Sequence, residues 1–301
     1  MSIAAELPTR RIEAWKYSDL RQAVGLDTHV LRDGRDIIER LAPGTQRSTV
    51  PAGESRLIVE RMGDDQHMDA RSYEYALEAG ASLVRVVIQS GSNLPLSMMR
   101  VRLAAGAKFT QFVLAFGAKL ARIETHVSVE GEGAEVTLNG AYLAGAGRHA
   151  DLTSVIEHKA PGGVTRQLIK GVARKGGRGV FQGKIVVEKG AQKTDARQYH
   201  RGLLLEAGAE IFAKPELMIH ADDVQCAHGN TAGGLDESAL FYMRSRGVPE
   251  AEARAMLIEA FLVEAIPEGL PVELHAELVG AVQAWLLTGE PPAALAPEGT
   301  I

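Results

Sequence analysis

Short turns of glycine and alanine interrupt the middle of this 301-residue sequence at intervals that point to one repeated unit. Seven such turns lie between residues 79 and 209, and the intervals between their central glycines are 26, 27, 29, 14, 14 and 18 residues. These intervals are close to multiples of about 14 residues, which favours a β-solenoid whose coils stack on one another and turn at glycines with positive φ. The central glycines are Gly80, Gly106, Gly133, Gly162, Gly176, Gly190 and Gly208.

The segments between these turns have the pattern of β-strands. Residues 123–130 alternate apolar and polar side chains, the period expected of a half-buried strand. No amphipathic helix of ten or more residues is visible among the strand-like runs of residues 55–234. An antiparallel sandwich with frequent glycine turns would give a similar pattern, so both architectures remain open at this point.

The two ends of the chain differ from this middle region. Residues 1–54 are predicted to form an N-terminal helical or irregular segment, followed by a β-helix core at residues 55–234. Residues 235–301 change to a period of 3.6 and are predicted to form a C-terminal helical domain. Asp236 is suited to cap its first helix and Gly247 to end it.

Composition excludes several classes of function. The net charge of −5 and the isoelectric point near 6.0 argue against a general nucleic-acid-binding protein. The longest uncharged run, residues 86–99, is too short and polar to cross a membrane, and no secretory signal is visible, so a cytoplasmic location is expected. A single cysteine excludes an internal disulfide and a metal site made from several thiolates of this chain.

Nucleotide-binding motifs are approximate at best. Residues 179–185 resemble a P-loop but have one residue too few, with Ile185 in place of the serine or threonine that binds Mg²⁺. Residues 145–150 match G-x-G-x-x-A without the helix that a dinucleotide site requires. We interpret both as strands and turns.

One stretch carries side chains suited to inorganic chemistry. Cys226 and His228 are two residues apart, so in a strand they lie on the same face and could bind iron or zinc. Two ligands are too few, and the others would have to come from elsewhere or from a second chain. The same pair could act as an activated nucleophile, in which the histidine deprotonates the thiol. Alternatively, the two residues could have only a structural role, as a small apolar cysteine near a strand end beside a hydrogen-bonded histidine. His126 and His200 could also lie on solenoid faces, with no partner evident from the sequence.

The sequence around this pair resembles a known family. Residues 214–247 strongly resemble the C-terminal signature of the SufB/SufD family of iron–sulfur cluster assembly scaffolds, with the core Asp222-Asp223-Val224-Gln225-Cys226-Ala227-His228-Gly229-Asn230-Thr231. The segment Glu13-Ala14-Trp15-Lys16-Tyr17-Ser18 is similar to the family's N-terminal motif. Gly229 after His228 and the run at residues 234–237 fit the SufD branch better than the SufB branch.

This resemblance implies a mainly β fold, a right-handed parallel β-helix between helical ends. It also implies a non-enzymatic subunit that pairs with SufB and docks the ATPase SufC. The position of His228 would then face a SufB cysteine, with Cys226 beside it. Any iron or cluster would be transient and shared with SufB, and no stably bound cofactor is expected. The residues expected to contact SufC are Asp236, Leu240, Phe241, Tyr242, Arg244 and Arg246.

Two other functions are possible on the sequence alone. The chain could be a self-associating structural solenoid, and even a SufD-type protein could form homodimers in isolation. It could also be a β-helical enzyme that uses Cys226 and His228 without a partner. No nucleic acid or membrane is expected to bind under any of these hypotheses.

Overall fold

A computed structural model describes residues 7–24, 37–63 and 67–292. Its N-terminal part contains a single 3-10 turn, Glu13–Trp15, and two short helices, α1 (Leu20–Val24) and α2 (Ile37–Leu41). The described residues then form fourteen strands: β1 (Thr45–Val50), β2 (Ser55–Met62), β3 (Met68–Leu77), β4 (Ser82–Gln89), β5 (Leu94–Leu103), β6 (Lys108–Ala115), β7 (Ala121–Val129), β8 (Glu135–Ala144), β9 (His149–His158), β10 (Val164–Ala173), β11 (Arg178–Val187), β12 (Asp195–Leu204), β13 (Glu210–Ile219) and β14 (Gln225–Gly233). Three helices follow, α3 (Glu237–Ser245), α4 (Glu250–Val263) and α5 (Val272–Thr288).

The strands form a β-solenoid of two parallel sheets. Successive strands alternate between an odd sheet, ordered β1-β3-β5-β7-β9-β11-β13, and an even sheet, ordered β14-β12-β10-β8-β6-β4-β2. Each pair of successive strands therefore makes one coil, which stacks on the coil before it. The parallel pairing confirms the solenoid and excludes the antiparallel sandwich.

The predicted repeat is present in the structure. Strands β8 to β14 start at residues 135, 149, 164, 178, 195, 210 and 225, so that 14 to 17 residues separate successive starts. Six of the seven predicted turn glycines have positive φ, for example Gly133 at 67°. Gly190 is the exception, because in its turn Lys193 takes the positive angle, with φ of 62°.

The solenoid begins earlier than the sequence indicated. Strand β1, at Thr45–Val50, pairs in register with β3, although the predicted N-terminal segment extended to residue 54. Five of its six residues are polar and only Val50 is fully buried, so it lacks the apolar alternation by which the other strands were recognised. Hydrogen bonding to β3 makes it a strand despite this composition.

Helices cover the outer faces of both sheets. The N-terminal elements pack against β5 of the odd sheet through an apolar cluster that includes Trp15, Leu20, Leu96 and Met98. Helices α4 and α5 pack against the even sheet, and their buried residues include Leu262, Leu278, Val282 and Trp285. No helix within the described residues has the length and hydropathy needed to span a membrane.

The N-terminal motif at residues 13–18 attaches the helical segment to the solenoid. The Trp15 ring lies 4.0 Å from the guanidinium carbon of Arg122, and the Ser18 hydroxyl donates to the buried Asp151. Tyr17 stacks on Phe212 of β13, with ring centroids 5.3 Å apart. The segment therefore reaches from the middle coils to the last coil of the odd sheet.

One buried histidine makes the solenoid sensitive to acid. The Nε2 atom of His158 lies 2.8 Å from the Thr165 hydroxyl, and its Nδ1 atom has no partner among the described residues. Burial lowers the pKa of His158 to about 4 from its ordinary value of 6.5. Between about pH 6.5 and pH 4 this histidine is therefore protonated in the unfolded chain but neutral in the folded protein, and protonation favours unfolding.

We predict that His158→Gln weakens the pH dependence of stability by removing one of the buried histidines that cause it. In the unsubstituted protein this histidine should lower the free energy of unfolding by about 2 kcal/mol between pH 7 and pH 5. Thermal unfolding at several pH values measures the effect, with the exposed His275→Gln as the control. Equal pH dependence in the His158 variant and the unsubstituted protein would contradict the prediction.

Candidate functional site

The C-terminal end of the solenoid is open among the residues that the structure describes. Strand β14 pairs with β12 on one side and with no described strand on the other, and β13 is the matching edge of the odd sheet. Residues of β13 and β14 are half-buried or exposed, whereas most of β11 is buried. The last coil therefore presents unpaired backbone groups to its surroundings.

The register places three side chains of β14 over the end of the solenoid interior. Cys226, His228 and Asn230 pair in register with Ala196, Gln198 and His200 of β12, which are all buried in the core. Because paired residues of parallel strands face the same side, the three residues of β14 also face the interior. We call Cys226, His228 and Asn230 the rim triplet. Within it Cys226 is half-buried, while His228 and Asn230 are exposed.

Below His228 lies an amide without hydrogen bonds. The side chain of Gln198 is fully buried, and neither its nitrogen nor its oxygen has a partner among the described residues. It extends across the interior to β11, where a Cβ on Gly183 would lie 1.7 Å from its nitrogen. An unsatisfied buried amide costs about 1–3 kcal/mol, so the structure holds a destabilising polar group at this end of the core.

Asn230 is the end of a hydrogen-bonded chain that runs into the core. Its Oδ1 lies 2.7 Å from Nδ1 of His200, and Nε2 of His200 lies 2.8 Å from the Tyr142 hydroxyl. No partner for His200 or His126 was evident from the sequence, but both have one in the structure. The Nε2 atom of His126 lies 2.8 Å from Glu124.

The sequence predicted Cys226 and His228 but missed Asn230, Gln198 and the partners of His200. The alternation that joins Cys226 to His228 extends by one step to Asn230, so this residue could have been found. Gln198 and Tyr142 come close to the site only through the pairing of coils, which the local pattern does not reveal.

The rim triplet is not a complete metal site on this chain. Within residues 7–24, 37–63 and 67–292, no group of three or more His, Cys, Asp or Glu side chains is placed to hold a metal ion. Burial raises the pKa of the Cys226 thiol above its ordinary value, and the charge of Asp195 adds to the increase. The sulfur is therefore protonated at neutral pH unless a metal or another chain changes its environment.

The predicted docking residues of α3 have different roles. Asp236 caps the helix by accepting hydrogen bonds from the backbone of Ser238 and Ala239, and Leu240 is buried. Phe241 and Tyr242 are 73% and 59% exposed. The two arginines are engaged within the helical region: Arg244 lies 3.4 Å from Glu250, and the guanidinium carbon of Arg246 lies 5.2 Å from the Tyr242 ring centroid.

The two nucleotide-like motifs lie in regular solenoid structure. Residues 179–185 belong to β11, which is paired on both sides, and residues 145–150 form a turn and the start of β9. Neither is followed by a helix, so their interpretation as strands and turns is confirmed.

Comparison with known proteins identifies relatives of this arrangement. Residues 49–261 match the family model described as SUF system FeS cluster assembly, SufBD core domain. The chain is 31% identical to the iron–sulfur cluster assembly protein SufD of Escherichia coli over 223 residues, covering 72% of this chain and 53% of that protein. It is 32% identical to a SufBD family protein of Synechocystis over 179 residues, covering 60% of this chain and 40% of the relative. With a SufBD family protein of Mycobacterium leprae the identity is 26% over 307 residues, covering 94% of this chain and 77% of the relative. The chain thus spans about half the length of the first two.

We predict that the Cys226 thiol of the isolated chain reacts as an unactivated thiol. Because its pKa is raised, the rate of alkylation by iodoacetamide should rise about tenfold per pH unit up to at least pH 8.5. The variant His228→Ala should behave in the same way. A rate that is already constant below pH 7 would show an activated thiolate and would favour the enzyme hypothesis.

Proposed function

The chain belongs to the SufBD core domain family of the SUF iron–sulfur cluster assembly system, and from this premise we propose that it is a SufD-type scaffold subunit. In this proposal it pairs with a SufB-type sister chain, docks a SufC-type ATPase and forms half of a shared site for a nascent cluster. It performs no catalysis by itself, and the cluster is a substrate that is passed on.

The observation that carries the proposal is the position of His228 and Cys226 on an unpaired edge strand. A strand of another chain can pair with the free edge of β14, which would satisfy its free backbone groups. The same contact would bring new side chains to the rim triplet. An incomplete ligand set at an open edge is therefore the arrangement expected of one half of a shared site.

The chemistry of the two side chains suits iron and sulfide. A thiolate and an imidazole are both ligands for iron–sulfur centres, and the usual number of protein ligands is four. Two ligands from this chain leave room for two from the partner. Burial in an interface would also exclude water from the growing cluster and lower the dielectric around it.

The helical region provides a surface for a second partner. Phe241 and Tyr242 are exposed aromatic residues, the type that dominates binding energy in protein interfaces. Helices α4 and α5 are fixed to the even sheet by apolar packing, by a hydrogen bond of 3.0 Å from Asn139 to the Ala265 carbonyl and by an ion pair between Lys170 and Glu264. A partner bound to α3 would therefore act on a domain that is firmly joined to the solenoid.

The open end of the solenoid could also support self-association. The edges of β13 and β14 could pair with a second copy of the chain when the sister protein is absent, so we expect homodimers in isolation as an alternative assembly. The stand-alone enzyme gains no support from the site, because burial raises the pKa of the Cys226 thiol.

We predict that His228→Ala reduces cluster formation in the complex with the sister protein and the ATPase. Loss of a ligand should lower the yield of iron and acid-labile sulfide at least about tenfold. The complex is co-expressed, purified without oxygen and analysed for both elements, with the exposed His275→Ala as the matched control. A normal yield from an intact His228→Ala complex would remove the ligand role.

We also predict that Phe241→Ser weakens capture of the ATPase without unfolding the chain. Removal of one exposed aromatic anchor should reduce affinity about thirtyfold. Leu287→Ser is the control, because Leu287 is 86% exposed at the end of α5. Affinity measured by titration of the ATPase should change only for the α3 variant, and equal affinities for both variants would place the docking surface elsewhere.

A further inference from the structure

The chain of hydrogen bonds from Asn230 to Tyr142 links the open end of the solenoid to its core. Tyr142 is fully buried in β8, His200 is 1% exposed in β12, and Asn230 lies on β14. The His200 ring also stacks on Phe181, with centroids 5.4 Å apart. Three strands of the even sheet thus cooperate to fix one exposed amide.

The burial of Tyr142 determines which atom donates and which accepts in each of these hydrogen bonds. His200 is the hydrogen-bond partner of the Tyr142 hydroxyl among the described residues, so the buried proton is satisfied only if Tyr142 donates to Nε2. Burial lowers the pKa of His200 and keeps its ring neutral, so the remaining ring proton is on Nδ1. Nδ1 then donates to Oδ1 of Asn230, over 2.7 Å.

The glycines around Tyr142 make this chain possible. A Cβ on Gly171 would lie 1.8 Å from the Tyr142 ring, and one on Gly179 would lie 2.0 Å from it. These distances are far below van der Waals contact, so any other residue at either position would displace the ring. The Tyr142 ring therefore reaches His200 because β10 and β11 have glycines, without side chains, where the ring passes.

This arrangement leaves the NH₂ group of the Asn230 side chain available to a ligand. Its oxygen is occupied by His200, whereas its NH₂ group has no acceptor among the residues described. Asn230 is exposed and shares the interior face of β14 with His228. The site therefore holds a fixed neutral donor beside the proposed ligand.

We infer that Asn230 donates a hydrogen bond to an anionic sulfur atom of the bound substrate, an inorganic sulfide or a thiolate, and that His200 and Tyr142 position it. This inference rests on the proposed function and adds a contact to sulfur to the proposed contacts to iron. Hydrogen bonds to the sulfur atoms of a cluster stabilise its negative charge and raise its reduction potential. An amide whose oxygen accepts from His200 presents its two N–H donors, which suit an anionic sulfur atom.

The first experiment examines the proton on His200 in the full chain without metal. Long-range ¹H–¹⁵N spectra of histidine-labelled protein should show the Nδ1–H tautomer for His200. The variant Tyr142→Phe identifies the signal, because it removes the partner of Nε2. An Nε2–H tautomer would reverse the amide, direct its oxygen outward and overturn the inference.

The second experiment uses the co-expressed complex, supplied with iron(II) and sulfide without oxygen. Asn230→Leu is close in size and adds no charge but lacks the NH₂ group. We expect it to slow cluster formation about tenfold and to shift the reduction potential of the cluster to a more negative value. Thr231→Val, on the opposite face of the same strand, should change neither.

Comparison with His228→Ala separates the two proposals. If His228→Ala abolishes the cluster while Asn230→Leu leaves both the rate and the potential unchanged, the contact to sulfur is overturned and the scaffold function remains. If His228→Ala has no effect on the yield, the shared site itself is overturned, and the inference is overturned with it.

Discussion

The direction of the backbone hydrogen bonds governs the rest of this structure. In a parallel solenoid these bonds run from coil to coil, so every inner strand is satisfied on both sides and the last strand of each sheet is not. Strand β14 has little apolar surface of its own, since its sequence is Gln-Cys-Ala-His-Gly-Asn-Thr-Ala-Gly. It is held mainly by its pairing with β12, and its free edge is the natural place for another chain to add.

The same pairing determines which side chains meet at the open end. Each inward residue of β14 continues a column that runs through the core, and the column below His228 contains Gln198 and Gln167. Gln167 donates to Ser154 over 2.8 Å, while Gln198 has no partner among the described residues. An apolar residue at position 198 would remove this unsatisfied amide, so the polar column is a cost that the fold carries where the candidate site begins.

Sequence patterns predicted the parts of the structure that repeat locally. The glycine intervals indicated the coils, and the spacing of Cys226 and His228 placed them on one face, because both depend on neighbours in the chain. Strand β1 was missed because its polar residues are ordered by pairing with β3. The contact between Tyr142 and His200 spans 58 residues and depends on the space above Gly171 and Gly179, which no local pattern encodes.

Helix α3, which follows the strand of the rim triplet, is packed less extensively than helices α4 and α5, which lie against the even sheet. Helices α4 and α5 bury an apolar face against the even sheet, whereas α3 has Leu240 as its buried residue. Gly233 ends β14 and Gly234 begins the link to α3, and an added Cβ at either would meet nothing within 4 Å. Leu235, in the same segment, packs against the apolar cluster of α4, α5 and the even sheet. A partner that moves α3 would act on the edge of β14 through a link of three residues, 234–236, so the two proposed partner surfaces are coupled through a short segment of the chain.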